Sequence, residues 1–189
     1  MNPFATNTKN NIVWARRKGD VPPAEVDQYS PKVQVWGGIS QHGKTRLVLY
    51  KGSLDTDKYC DVILKKAKPD FATIFGAGNT AWTFVHDGAS AHKAAPTNTW
   101  LTRNVPRFIT SGPDGDWPAK SPDLNIIEQV WGIIEGELDK KRPKTLATLK
   151  TRVREIWDSL DIDIVRKQVK SMKTRLKFII NSGGEWTPN

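Results

Sequence analysis

The sequence predicts an α/β domain built around one mixed sheet, and three observations carry that prediction. Residues Asn11 to Tyr50 hold short runs of β-branched and aromatic residues separated by turn residues. The middle of the chain alternates strand-like and helix-like periods, and the last third carries three apolar stripes at three- and four-residue spacing. Strands, then alternating elements, then helices is the order of an α/β or α+β domain.

Each element has its own local reason. Asn11–Arg16, Lys32–Ser40 and Thr45–Tyr50 read as strands of an antiparallel meander joined by turns. Gly37-Gly38 inside the second strand predicts a bulge or a close backbone approach. Ser53 or Asp55 can cap a helix on which Tyr59, Val62, Ile63 and Lys66 fall at helical spacing. Ala81–His86 is a short apolar strand ending at Asp87, followed by a helix from about Ala91 to Thr102 and a strand at Val105–Thr110. Ser111–Ser121 is a loop rich in Pro, Gly and Asp. The stripes Leu124–Leu138, Leu146–Leu160 and Ile162–Ile179 predict three helices with apolar core faces, separated at Lys141-Arg142-Pro143 and at Leu160-Asp161. This order is compatible with a ribonuclease-H-like fold, although pattern alone does not select it.

Composition narrows the function classes. A chain of 189 residues suits one domain and can bury a sizeable core without staples. One cysteine, Cys60, builds neither a disulfide framework nor a zinc site and reads as a small buried hydrophobe. No apolar run reaches the roughly 18 residues of a membrane span, and the polar first residues lack the apolar core of a secretory signal. Secreted scaffold, membrane protein and fibrous protein are excluded. The net charge of +9 is local: Lys140 to Lys177 holds 13 Lys/Arg against four Asp/Glu, and the rest cancels. Such a stretch attracts a polyanion, though a single basic helix is more often a solvated face.

Two acids could carry chemistry. Asp87 stands where α/β sheets place ligands, at the carboxyl end of a buried strand, although an Asp-Gly pair also favours a plain turn. Glu128 lies at the rim of an apolar stripe, beside Ile127, where it can face a cleft or simply solvent. Together they supply the oxygen ligands that a hard divalent cation needs. Two Mg²⁺ ions about 3.5–4 Å apart would polarise a phosphodiester and activate its attacker, but such a site usually wants a third carboxylate.

The block Trp117-Pro118-Ala119-Lys120-Ser121-Pro122-Asp123-Leu124-Asn125-Ile126-Ile127-Glu128-Gln129-Val130-Trp131 closely resembles the signature of mariner-type cut-and-paste transposases. Val35-Trp36-Gly37-Gly38-Ile39-Ser40, Tyr59 with Leu64, and the segment from Asp87 to His92 match further blocks of that family in the same order. The resemblance spans roughly Asn11 to Arg142. It implies a ribonuclease-H-like catalytic domain over residues 1–140 and a basic helical extension over 141–189. It also implies a Mg²⁺ (or Mn²⁺) site in which Asp87 is the second acid and Glu128 the third. The family's reaction is hydrolysis at a transposon end followed by attack of the freed 3′-hydroxyl on target DNA. DNA is the implied partner, with His92, Lys120, Lys140, Lys141 and Arg142 as candidate contacts, a homodimer on DNA and a nuclear location. Trp117 is the tryptophan expected beside the cleft, where it could stack on a base.

Three departures shape the expectation. Forty residues separate Asp87 from Glu128, more than in the family's best-known members, with the excess placed in Ser111–Asp116. Ile126 replaces the usual Pro, at a cost in rigidity. The family's first Asp has no counterpart, since no Asp precedes Asp20 and the chain starts after the matching strand. The expectation is an N-terminally truncated catalytic domain, active in its full-length form and inactive as this fragment. Its origin would be a truncated copy, a mis-called start or a deliberate excision. The alternative is a non-enzymatic DNA-binding remnant. Asp123 is the rival third ligand, with helix capping as its ordinary explanation.

Overall fold

The computed structural model describes residues 32–109, 117 and 121–184. The expected strand Asn11–Arg16, most of the Ser111–Ser121 loop, Asp20 and Lys120 lie outside the described residues. The predicted strand Lys32–Ser40 breaks at its glycine pair into β1 (Gln34–Trp36) and β2 (Ile39–Ser40). β2 pairs with β3 (Gly43–Lys44), and β1 with β4 (Val48–Tyr50), both antiparallel. Glycine is required at the break on steric grounds: a Cβ on Gly37 would lie 2.6 Å from the Trp157 ring. Across the gap, Gly38 N–H donates to Thr45 Oγ1 at 2.8 Å and Thr45 N–H to Gly38 O at 2.9 Å. The expected close backbone approach is the one Gly37 serves.

Asp55 starts the next segment by accepting from Lys58 N–H at 2.7 Å. A π-helical stretch, Lys58–Leu64, runs into α1 (Lys65–Phe75), and Tyr59, Ile63, Leu64, Ala67 and Phe71 form its buried face. Cys60 is buried as expected, with Sγ 3.6 Å from Thr97 Oγ1. The strand β5 (Phe84–Val85) follows. The single helix expected at Ala91–Thr102 is two, α2 (Ser90–Lys93) and α3 (Ala95–Asn104). Pro96 cannot donate to the carbonyl four residues back and its ring crowds it, so the helix stops at Ala94, ψ 142°, and restarts with Pro96 in its first turn. Then β6 (Phe108–Ile109) pairs parallel with β5. Among the described residues the expected single mixed sheet is therefore three two-stranded pieces. Strands of two or three residues, interrupted by the glycine pair, are too short to propagate one ladder.

The three C-terminal helices fall where their stripes placed them: α4 (Ile127–Lys140), α5 (Leu146–Ser159) and α6 (Ile162–Asn181). Thr145 and Thr148 cap α5 reciprocally. One core cluster joins Val33, Trp131, Ile134, Leu149, Trp157 and Val165, so it runs across positions 140 and 141. The other gathers Tyr59, Ile63, Phe71, Leu101 and Val105 beneath the β5–β6 pair. The third stripe faces inward over most of its length: Val165 is buried, Ile162, Val169, Met172 and Ile179 are partly buried, and Leu176, 41% exposed, is the member that departs. A helix of 20 residues outruns neighbours of 14, so its last turns pass beyond the surface it packs on.

Two polar anchors hold strands to helices. Lys44 Nζ donates to the carbonyls of Trp157, Asp158 (3.0 Å) and Leu160 (2.8 Å), closing the C-terminal end of α5 where carbonyls lack helical partners. Lys44→Met should lower stability by about 1–2 kcal/mol in urea unfolding, since the charge-assisted bonds are lost while the stem stays packed. Arg46 binds Asp70 of α1 through its backbone N–H (2.8 Å), Nε (2.9 Å) and Nη2 (2.7 Å). Burial works to raise the Asp70 carboxyl, but the Arg46 hydrogen bonds outweigh it and hold Asp70 below its ordinary 3.8. A depressed carboxyl stabilises the fold above its unfolded value and stops doing so as pH falls through the folded one. Acid unfolding should therefore show a loss of stability beginning near pH 3.8 and continuing below it, a component that Asp70→Asn abolishes.

Candidate active site

His86 and Asp87 follow β5, one of the two parallel strands. Asp87 Oδ1 accepts from Ala89 N–H at 3.1 Å and from His92 Nδ1 at 2.5 Å. The first bond is the turn that an Asp-Gly pair favours, so the turn reading and the site reading describe the same residue. Gly88 is not among the glycines with positive φ; the Asp87 side chain, rather than a left-handed glycine, shapes this bend. The hydrogen bond from His92 is the main influence holding the Asp87 carboxyl down to about 2, against the effect of burial. These bonds all fall on Oδ1, which leaves Oδ2 of a side chain 53% exposed for another partner.

Of the two roles expected for His92, neighbour of the acids or contact to DNA, the structure gives the first: it bonds Asp87, is 8% exposed and packs its ring on Tyr59 at 4.3 Å between centroids. The start of α2 lies against the apolar floor made by the π-helical stretch, which draws the imidazole inward, toward the acid. His92 Nε2 is buried without a hydrogen-bond partner among the described residues. His86 stacks on His92 (4.8 Å, 9°), and its Nδ1 accepts from the Tyr59 hydroxyl at 3.1 Å. Burial first, and the charge of His92 second, pull His86 down to about 4, so it is neutral at neutral pH. Burial raises the Tyr59 hydroxyl and keeps it a donor.

Glu128 reaches the site from the first turn of α4. Its Oε1 accepts from Asn125 Nδ2 at 3.2 Å, and its backbone N–H donates to Asn125 O at 2.9 Å. Burial first, then the charge of Asp87, push the Glu128 carboxyl above its usual value. Two acids 41 positions apart are thus within electrostatic reach. Ile126 takes φ −54°, which proline also adopts, and buries its side chain, so the replacement of Pro is accommodated. The capping role of Asp123 is corrected: α4 begins after Ile126, with no side-chain cap. Turn bonds from Leu124 N–H to Ser121 O (3.2 Å) and from Asn125 N–H to Pro122 O (3.1 Å) set Asp123 a full turn ahead of the helix. Asn125 is the residue sequence reasoning missed; its signal was the three-residue spacing to Glu128 at a helix start.

The donor set suits a hard divalent cation. Each carboxylate is hydrogen-bonded through one oxygen, both are about half buried, and their mutual repulsion is what a cation would relieve. Among the described residues no three His, Cys, Asp or Glu converge as a metal-binding group. Of the candidate DNA contacts, Lys140 pairs with Glu137 (2.5 Å) and Arg142 with Asp139 (3.3 Å), both exposed, and Lys141 is exposed beside them. Such surface pairs are weak and leave their cations available to a polyanion. Trp117 is 9% exposed, a core residue rather than a stacking platform at the cleft.

Comparison with known proteins places these features in a wider set. The DDE superfamily endonuclease family model matches residues 2–150. The Tcb1 transposase of Caenorhabditis briggsae is 26% identical over 152 residues, covering 80% of this chain and 52% of the relative. The Tc3 transposase of Caenorhabditis elegans is 27% identical over 157 residues, covering 80% and 44%. The chain spans about half the length of these relatives. Among solved structures, the catalytic domain of the Mos1 mariner transposase superposes with a TM-score of 0.70 at 16% identity, covering 84% of this chain and 77% of that one. The Mos1 mariner paired-end complex with Mn gives 0.73 at 17% identity, covering 94% and 53%. At these identities the structural likeness establishes the fold, which is that of the Mos1 catalytic domain.

Proposed function

Because this chain belongs to the DDE endonuclease superfamily, we propose that it forms the catalytic core of a Tc1/mariner-type transposase in which Asp87 and Glu128 hold the metal. The observation that carries the assignment is the coupling of the two acids: Asp87 kept ionised by His92, and Glu128 raised by burial and by Asp87. When bound, Mg²⁺ or Mn²⁺ would polarise a phosphodiester and activate a water or a 3′-hydroxyl. The chain's own residues do the rest. His92 fixes the orientation of Asp87 Oδ1, Asn125 fixes Glu128, and the stacked His86, His92 and Tyr59 close off water behind the acids. Mn in a solved relative supports a divalent metal. Transposon ends and target DNA as substrates, a homodimer on DNA and a nuclear location belong to the same proposal.

A second reading, a DNA-binding remnant without catalysis, is favoured by the convergence of only two acids among the described residues. Manganese binding separates the two. Titration followed by electron paramagnetic resonance should show a Mn²⁺ site in the native protein that Asp87→Ala and Glu128→Ala each weaken by about 100-fold or more, at least the upper end of what outer-shell losses cost. Unchanged binding in both variants would sink the metal assignment and leave the remnant.

A further inference from the structure

We propose that the groove between the β1–β4 ladder and the start of α5 is a binding track for the sugar–phosphate backbone of DNA, leading away from Asp87 and Glu128. The groove has a volume of about 240 Å³ and presents Lys32, Lys51 and Lys150, from three separate segments, with Tyr50 and Ser53 between them. Among the described residues none of the three lysines forms an ion pair and no acidic residue lines the groove. Three unpaired cations converging on one concave surface repel each other, and an extended anion relieves that repulsion.

The occupant follows from charge, size and position. A groove smaller than the ~300–1,000 Å³ of small-molecule sites, open and rimmed by ammonium groups, suits a strand that passes over it. Tyr50, paired with Gln34 across the ladder, lines the groove, and after the effect of burial the charge of Asp87 bears on its hydroxyl. A phosphodiester held at Asp87 and Glu128 would thus continue onto the lysines, which neutralise the phosphates beside it. The inference rests on the reading of this chain as a DNA-acting enzyme and adds where the strand runs.

The test is anisotropy of a labelled DNA duplex over a salt series. The triple variant Lys32→Gln, Lys51→Gln, Lys150→Gln is compared with Lys65→Gln, Lys66→Gln, Lys68→Gln on α1, which removes equal charge elsewhere. The groove triple should lower the slope of log affinity against log salt by about 0.9 for each phosphate no longer neutralised, roughly 2 to 3 in all. It should also bind at least 10-fold more weakly at low salt, while the α1 triple changes little and both keep the native melting temperature and Mn²⁺ affinity. Equal losses in the two triples, or an unchanged slope in the groove triple, would overturn the track alone. A native protein that binds Mn²⁺ yet no DNA would overturn the DNA-acting reading as well.

Discussion

Glu128→Gln will raise the melting temperature of the metal-free protein and, in the same variant, lower its affinity for Mn²⁺ by about 100-fold or more. The two effects share one cause. Glu128 carries its charge half buried and facing the negative Asp87, so its carboxyl sits above the ordinary range. A group with a raised folded value stabilises the fold below its unfolded value of 4.5 and loses that contribution as pH rises through the folded one. At neutral pH the ionised Glu128 therefore works against folding, and the isosteric amide removes the burden. The same amide presents a weak neutral donor to a hard cation, so binding fails. A glutamate that merely faced solvent would give neither effect. A variant that melts lower and binds Mn²⁺ as before would sink the site.

Trp157→Ala will remove about 3–5 kcal/mol, a large share of the stability of a domain this size, measured by urea unfolding. Trp157 is 1% exposed, stacks on Trp131 at 5.5 Å and 25°, and donates through Nε1 to Thr45 O at 2.9 Å. Its ring also fills the space that Gly37 leaves open. Alanine empties that volume and orphans a buried carbonyl together. Trp157→Phe keeps most of the ring and should cost less, about 1–3 kcal/mol, largely for the lost hydrogen bond. A loss below about 1 kcal/mol for the alanine variant would mean that α5 is not packed on the strands as described.

Much of the candidate site was legible because its residues lie in short, ordered blocks. Asp87 after an apolar strand and Glu128 at a helix start both stand where the sequence placed them. What surrounds them was not legible. His92 read as a neighbour of the acids or of DNA, and nothing in a five-residue spacing shows that Tyr59, 33 positions earlier, forms the floor beneath it. Asp123 read as a cap because Asp before a helical stripe commonly is one. The chain instead spends an extra turn there, and the carbonyl of Asp123 accepts from Arg175 of α6 at 2.9 Å.

By itself the sequence determined the existence and order of the three C-terminal helices, the irregularity at the glycine pair, the two candidate acids and the family resemblance. Caps, prolines and apolar stripes act within a few residues, so their physics is written locally. Only the tertiary structure decided that Gly37 makes room for Trp157, that Lys44 closes the end of α5, and that Asp87 repels Glu128 while His92 holds it. Lys44 and Trp157 are 113 residues apart. Contacts of that separation depend on how faces meet after every local choice is made. A lysine in a turn looks the same in sequence whether it meets water or the carbonyls of a helix end.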